Sequence, residues 1–301
     1  CMLDIKLTGR LGTHCATVRV ANNHTNIIYM EKDGQILLEK PVVGDAEDNL
    51  HDKSGLNIRD IVAFAKTVPI ETIRPLISQQ VACNSAIAAE GIEHNWGSNI
   101  GSTLLMASDA PENQARSWAA AGSDARMNGC EMPVVIVSGS GNQGITASVP
   151  VWRYGVLTGK EEEQILRAVC LSDLITIHQK TGIGRLSAYC GAVSAGVGAG
   201  CGIAFLEGAD CEGIAQTMQN AVAMISGTIC DGAKASCASK IAMGVDCGIL
   251  GYNMYRTGNS FRSGDGIVGT DEEATVKNVG RLAAEGMRQT DRTILQIMTE
   301  P

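Results

Sequence analysis

The sequence has no Cys-x-x-Cys pair, few aromatic rings and no basic run longer than two residues. The first absence removes zinc ribbons, thioredoxin-type redox sites and the commonest ferredoxin spacing. The lack of basic runs argues against a polybasic membrane patch. With 24 Lys and Arg against 32 Asp and Glu, the net charge is -8, which argues against a duplex-binding surface. Nucleic acid and anionic membrane therefore drop out as expected partners. The aromatic count is 3 Trp, 5 Tyr and 3 Phe, so the core is built from Gly, Ala, Ser and Val, and backbones must approach closely. The 35 glycines among 301 residues exceed the average of about 7% but show no Gly-X-Y period, which excludes collagen. No internal repeat or low-complexity tract is found, and no signal peptide is visible, though truncation would have removed one. The first residue is Cys1, and Cys1 to Leu7 alternate like a strand entered midway. The sequence thus reads as a fragment or processed product whose upstream part is absent.

What is present is a chain able to fold. Hydrophobic residues make up 45% and charged residues 19%, and the length suits two domains. Residues 1 to 43 read as extended: Cys15 to Ala21 alternate with period two, Asn22-Asn23 predicts a turn, and Asp33-Gly34 predicts a hairpin. A polar stretch from Gly44 to Ser54 follows. Beyond it the periodicity is helical. Ile58, Ile61, Val62 and Ala65 share one face, and Pro69 stops that helix. Further helices are predicted over 73–92, 161–178, 185–206, 213–229, 234–244 and 272–287, with a short capped helix from Asp291. No strand–helix alternation persists, so the fold class is α+β. A small β-rich segment (1–53), the end of a truncated N-terminal domain, leads into a large helical domain (54–301). Leu186 to Leu206 runs 21 residues without a charge, long enough to span a bilayer. Its glycines and alanines make it weakly hydrophobic, and it is expected to be a buried helix that packs closely against neighbours.

The chain has 11 cysteines, an odd count at irregular spacing. In a long enzyme-like chain this makes a disulfide framework improbable and points to a reducing, cytoplasmic setting. Most of these thiols are expected to pack as small hydrophobes. Cys230 and Cys237 enclose six residues, with Asp231-Gly232 as a turn and Lys234 as a nearby cation. A helix-terminal, electropositive setting of this kind lowers a thiol's pKa and favours metal ligation. Cys190 precedes Cys230 with 39 residues between them, at the start of the glycine-rich helix. Packing residues would satisfy the same spacing.

Gly139-Ser140-Gly141-Asn142-Gln143-Gly144 matches G-x-G-x-x-G after an apolar run, Pro133 to Val137, that could be a strand. Nicotinamide binding would need a following helix and an acid about 20 residues on. Pro150 comes too early for an uninterrupted helix, and Glu161 to Glu163 open a helix instead. The loop can equally be a tight turn or a cradle of backbone N–H groups for a carboxylate, with Ser138, Ser140, Asn142 and Gln143 adding side-chain donors. His94, in a polar setting before a helix start, can serve as an acid or base or as a structural hydrogen-bonding residue. His178, mid-helix, reads as structural. Ser123-Asp124-Ala125-Arg126 reads as a loop joining a carboxylate and a guanidinium, either an ion pair or a carboxylate-recognition element.

Cys83-Asn84-Ser85-Ala86, Glu93-His94-Asn95-Trp96-Gly97, Ser123 to Met127, Ser138 to Ala147, Ile229 to Ala233 and Gln289 to Arg292 together resemble the serine dehydratase-like, L-cysteine desulfidase family. The resemblance runs in order over essentially the whole chain. The helical part is similar to the alpha domain of iron–sulfur L-serine dehydratases. The resemblance implies a [4Fe–4S] cluster on Cys190, Cys230 and Cys237, and no pyridoxal phosphate. It also implies α,β-elimination of L-cysteine to pyruvate, ammonia and sulfide, a small amino-acid substrate, and substrate contacts at Asn84, Ser123, Arg126, Ser138 and Gly139 to Gly144. His94 and Lys234 are the candidate catalytic groups on this chain. Family members normally carry an upstream segment of the same polypeptide with a Gly-Cys-Thr-Glu-Pro motif, which would hold a further catalytic group. L-Serine is the alternative substrate, and a non-catalytic amino-acid sensor using the same cradle is the alternative of another class. Cys201, which shares a helix with Cys190, is the rival ligand. A Gly/Ala-rich helical surface would also pack readily as a homodimer.

Overall fold

The computed structural model describes residues 4–21, 26–42, 53–184 and 187–300. The turn expected at Asn22-Asn23 and nearly all of the polar stretch from Gly44 to Ser54 lie outside them. The chain divides into two compact units, Cys1–Lys53 and Ser54–Pro301.

The first unit is an antiparallel meander, β1 (Asp4–Leu11), β2 (His14–Ala21), β3 (Ile27–Lys32) and β4 (Gln35–Glu39), in sheet order 1-2-3-4. Leu7 pairs with Val18 and Ile5 with Val20, so the apolar positions share one face. Asp33 and Gly34 both take positive φ, 51° and 83°, as a two-residue hairpin between right-twisted strands requires. The Asp33 side chain secures the turn. Its carboxylate accepts from the Cys15 backbone N–H at 2.7 Å and pairs with His14 Nδ1 at 2.8 Å.

The second unit is helical: α1 (Ile58–Thr67), α2 (Ile70–Glu93), α3 (Ile100–Leu105), α4 (Pro111–Met127), α5 (Gly141–Leu157), α6 (Glu162–Ile183), α7 (Gly191–Leu206), α8 (Cys211–Ile225), α9 (Cys237–Arg256), α10 (Glu272–Arg281), a π turn (Leu282–Gly286) and α11 (Arg288–Thr299). The molecule is therefore α+β. Three sequence expectations need correction. Ser123 to Arg126 form the end of α4 rather than a loop, because the alanine-rich stretch from Ala119 is a strong helix former. The helix expected over 185–206 begins only at Gly191. Pro150 does not end the helix after the glycine loop, since α5 runs through it to Leu157. A proline costs that helix a hydrogen bond. Every residue from Gly141 to Val151 is buried, so packing holds the helix where propensity would not.

The centre is α7, buried continuously from Ala192 to Ala204. A helix apolar on all sides belongs inside, and no helix of the described residues is long and apolar enough to cross a membrane. Its glycines are the contact surface. A Cβ at Gly248 would stand 2.6 Å from the Gly196 carbonyl oxygen, and one at Gly196 would strike the Gly244 backbone. Gly196 thus meets Gly244 while Gly200 meets Gly248, so α7 and α9 run parallel with their backbones in contact. In the same way Gln143 meets Gly191 and Val151 meets Gly202, so α5 is parallel to α7 as well. By contrast α6 is antiparallel: Ser172 lies beside Gly198 and Gly202, and Gln179 donates to the Ser194 carbonyl at 3.1 Å.

Gly200→Val would put two methyl groups into the α9 backbone. The expected loss is about 3 kcal/mol or more of unfolding free energy, read as a lowered urea midpoint.

Asp173 on α6 lies buried, with Gln80 Nε2 donating to it at 3.0 Å. Burial pushes its carboxyl up to about 7, the Gln80 hydrogen bond opposing only in part. The folded chain therefore holds this proton to higher pH than the unfolded chain, whose aspartate titrates near 3.9. The resulting stability is complete below about pH 4 and is lost as pH rises through about 7. Asp173→Asn should abolish this dependence, so urea titrations should show the variant gaining on the parent chain steadily from pH 4 to pH 7.

Candidate functional site

Cys190 is the N-cap of α7 and Cys237 the first residue of α9. Because the two helices are parallel and matched glycine to glycine, their first turns stand at the same end. Cys230 arrives by another route. α8 returns antiparallel against α9, and the segment after it pairs Tyr189 with Ile229 in a short bridge. Cys190 N–H donates to the Thr228 carbonyl at 3.1 Å, and Cys230 N–H to the Ala188 carbonyl at 2.6 Å. The loop onward to Cys237 is pinned by Lys240, whose ammonium pairs with Asp231 and donates to the Ile229 carbonyl at 3.1 Å. That ion pair lowers the Asp231 pKa. Cys237 Sγ donates to the Gly232 carbonyl at 3.6 Å.

Burial raises the Cys190 thiol pKa. The first-turn N–H groups of Ala192 and Val193 oppose this, while the Cys230 and Cys237 charges add to it. The three thiols are therefore electrostatic neighbours. No three His, Cys, Asp or Glu among the described residues are gathered tightly enough for a single metal ion. A four-iron cluster asks for something wider, since each thiolate binds a different corner iron. The donor set fits that demand, because soft thiolates are the ligands such clusters take, and a metal's charge converts a buried thiol into a thiolate. Cys201 points elsewhere. It is wholly buried against α8 with its Sγ donating to the Ile214 carbonyl at 3.8 Å, and burial alone raises its pKa strongly.

The glycine loop borders this site. Ser138 and Gly139 take φ of 48° and 79° in a tight turn closed by mutual Val137–Ser140 hydrogen bonds. Pro133 to Ile136 form a loop rather than a strand, so the strand a dinucleotide fingerprint requires is missing. The Val135 carbonyl lies directly over Gly144, where no side chain would fit. Ser140 caps α5, its Oγ accepting from Gln143 N–H at 3.4 Å. The N–H groups of Gly141 and Asn142 open the helix, and a helix N-terminus favours an anion. Arg126, at the C-terminal end of α4, lies against Gly141 and donates from Nη1 to Asn142 Oδ1 at 3.2 Å. It is half-buried and has no carboxylate partner among the described residues. Burial lowers its pKa, and the Cys237 charge acts in the opposite sense. The Gln143 side chain joins loop to cysteines: a Cβ at Gly191 would stand 2.6 Å from its Nε2, and its buried Oε1 has no hydrogen-bond partner.

Other expected site residues fall differently. Asn84 is wholly buried and fully engaged. Its Nδ2 donates to the Val135 carbonyl at 3.1 Å and to Ser148 Oγ at 3.0 Å, and its Oδ1 accepts from Val135 N–H at 2.9 Å. It holds the loop in place. Ser123 is buried in α4 with an unpartnered Oγ. His94 ends α2, exposed and paired with Glu90 at 3.1 Å, and no contact among the described residues joins it to the cysteines. Lys234 is exposed beside Gly232. His178 is structural, its Nε2 lying 2.9 Å from Glu273 Oε2. Sequence reasoning missed Lys180, buried in the last turn of α6 near Cys190 and Cys230. Only its helical position was legible, four residues after Thr176 and three before Ile183, which the structure shows to be buried.

Known proteins resemble this chain over almost its whole length. The chain is 48% identical over 298 residues to a UPF0597 protein of Desulfitobacterium hafniense, covering 99% of this chain and 69% of that protein. It is 48% identical over 297 residues to one from Lachnoclostridium phytofermentans, covering 98% and 71% respectively. A Treponema denticola UPF0597 protein is 41% identical over 303 residues, covering 98% and 70%. The profile of the serine dehydratase alpha chain matches residues 15–296, taking in the glycine loop and all three cysteines. With nearly its full length matched, the chain belongs to the serine dehydratase alpha chain family.

Proposed function

We propose that this chain carries out iron–sulfur-dependent α,β-elimination of L-cysteine, giving pyruvate, ammonia and sulfide, with L-serine as the alternative substrate. The observation that carries the reading is the contact of Gln143 with Gly191. That contact joins the start of α5, where the Arg126 guanidinium has no carboxylate partner among the described residues, to the start of α7 that Cys190 caps, which supports the reading. Cys190, Cys230 and Cys237 would hold a [4Fe–4S] cluster. Bound by three protein thiolates, such a cluster supplies an open iron position, a Lewis acid for a departing thiol or hydroxyl.

The chain's own residues supply binding and orientation. The Gly141 and Asn142 N–H groups and the Arg126 guanidinium are the donors for the substrate carboxylate, and Arg126 can engage it bidentately. Asn142 keeps Arg126 aimed at the helix start. Gln143 lies between the carboxylate donors and Cys190, and its unpartnered amide oxygen is an acceptor for the substrate ammonium. Holding the carboxylate at one end and the β-substituent near the cysteines orients the α-proton and leaving group for elimination. Asn84 supports the cradle from behind. His94 and Lys234 stand outside this arrangement, so the base that takes the α-proton is assigned to neither.

The test is anaerobic reconstitution with iron and sulfide, followed by assay of pyruvate and ammonia from both amino acids and of sulfide from L-cysteine. Turnover that requires iron and dies in air is the expected result. Amino-acid binding without iron or turnover would overturn it in favour of a sensor. Arg126→Gln should raise KM and lower kcat/KM by roughly tenfold to a hundredfold, the worth of a charged hydrogen bond. Cys190→Ala should lose iron while Cys201→Ala keeps it, measured as iron per chain; the reverse pattern would overturn the ligand set.

A further inference from the structure

We propose that Lys180 is the counter-charge of the cysteine site, a positioning residue whose ammonium offsets the negative charge that three sulfur ligands and their cluster bring into a buried place. The inference rests on the cluster reading above.

Lys180 lies in the last turn of α6, only 8% exposed. Its place is fixed by its neighbours. Gln179 Nε2 donates to the Ser194 carbonyl at 3.1 Å, tying this turn of α6 to the first turns of α7. His178 holds Glu273, whose other oxygen accepts from the Ile58 N–H at 2.8 Å, so that carboxylate is already committed. Among the described residues Lys180 has neither a carboxylate partner nor a side-chain hydrogen bond. An unpaired ammonium on a side chain this buried is costly unless a negative group stands near. The Gln179–Ser194 bond sets this turn against the α7 start that Cys190 caps, so the groups nearest Lys180 that can become negative are the thiols of Cys190 and Cys230; as thiolates they raise its pKa against the burial that lowers it. A lysine serving only the α6 C-terminus would interact with the last carbonyls from the surface. Burial toward the cysteines is what that role leaves unexplained.

Other positive groups stand against the negative C-terminal ends of α4 and α6 and the Lys240-paired Asp231. The first turns of α5, α7 and α9 turn their positive ends to the site, and Arg126 comes in beside Cys237. Lys180 completes this on the side of Cys190 and Cys230. These cations gather inside a chain of net charge -8, so they are local construction and not a reflection of overall composition.

Lys180→Met, Lys180→Gln and Lys180→Arg, reconstituted anaerobically beside the parent chain, test this. Three quantities are read: iron and sulfide per chain, the rate of iron loss to a chelator, and the midpoint reduction potential. The neutral variants should release iron on the order of tenfold or more faster. Their potential should shift negative, because removing a positive charge disfavours the added electron. Lys180→Arg should stay near the parent chain. Before reconstitution, the neutral variants should melt no lower than the parent, since a buried charge has been removed. A merely structural lysine would lower that Tm. Neutral variants that load, hold and reduce their cluster like the parent chain overturn the proposal and leave the cluster reading standing. A parent chain that takes up no iron overturns both. Two neutral side chains of different polarity keep the test decisive if one fails to fold.

Discussion

Backbone contact between α7 and α9 is the constraint on which the rest of the helical unit depends. Two helices whose glycines meet at 196/244 and 200/248 have no freedom to slide, because any side chain at the crossing would collide with backbone. The register so fixed is parallel, and it brings Cys190 and Cys237 to the same end of the pair. Dispersion between closely apposed backbones replaces the ring packing that a chain with so few aromatics lacks. Glycine brings its usual entropic cost to helices, and burial of α7 on every side offsets it.

From that crossing the site's electrostatics follow. Parallel α5, α7 and α9 necessarily present their N-termini together, and antiparallel α4 and α6 present their C-terminal ends to the same region. The last turns of those two helices carry Arg126 and Lys180. The topology thus gathers positive partial charges from three helices and full charges from two others. Such an environment suits both a carboxylate and a group of thiolates; helix packing preorganises it, and the Lys240–Asp231 pair holds the loop to Cys237.

Much of this was legible in the sequence, and what was not has physical causes. The hairpin at Asp33-Gly34 and the α1 face of Ile58, Ile61, Val62 and Ala65 rest on local rules, and the structure follows them. The charge-free stretch gave a buried helix but not its start, because the bridge at Tyr189 is a pairing with Ile229 that lies far along the chain. Pro150 misled because a local rule was applied where burial decides. Asn84 drew notice as a polar residue in a motif, yet its hydrogen bonds are spent on the loop at Val135. For Lys180 the sequence offered only a helical position. The α6–α7 packing that gives the position meaning is tertiary.

The placing of the three cysteines also bears on assembly. All three lie within the continuous stretch α7–α8–α9, joined by short connections. Pairing within one continuous stretch carries a smaller loop-closure entropy than pairing across the whole unit. The thiols can therefore be gathered before the α10 and α11 segments dock. A cluster bound there would act as a staple across the open end of a three-helix unit, stabilising the folded chain by mass action. Maturation of the metal site and consolidation of the fold would then be one event, with α7 as the shared strut.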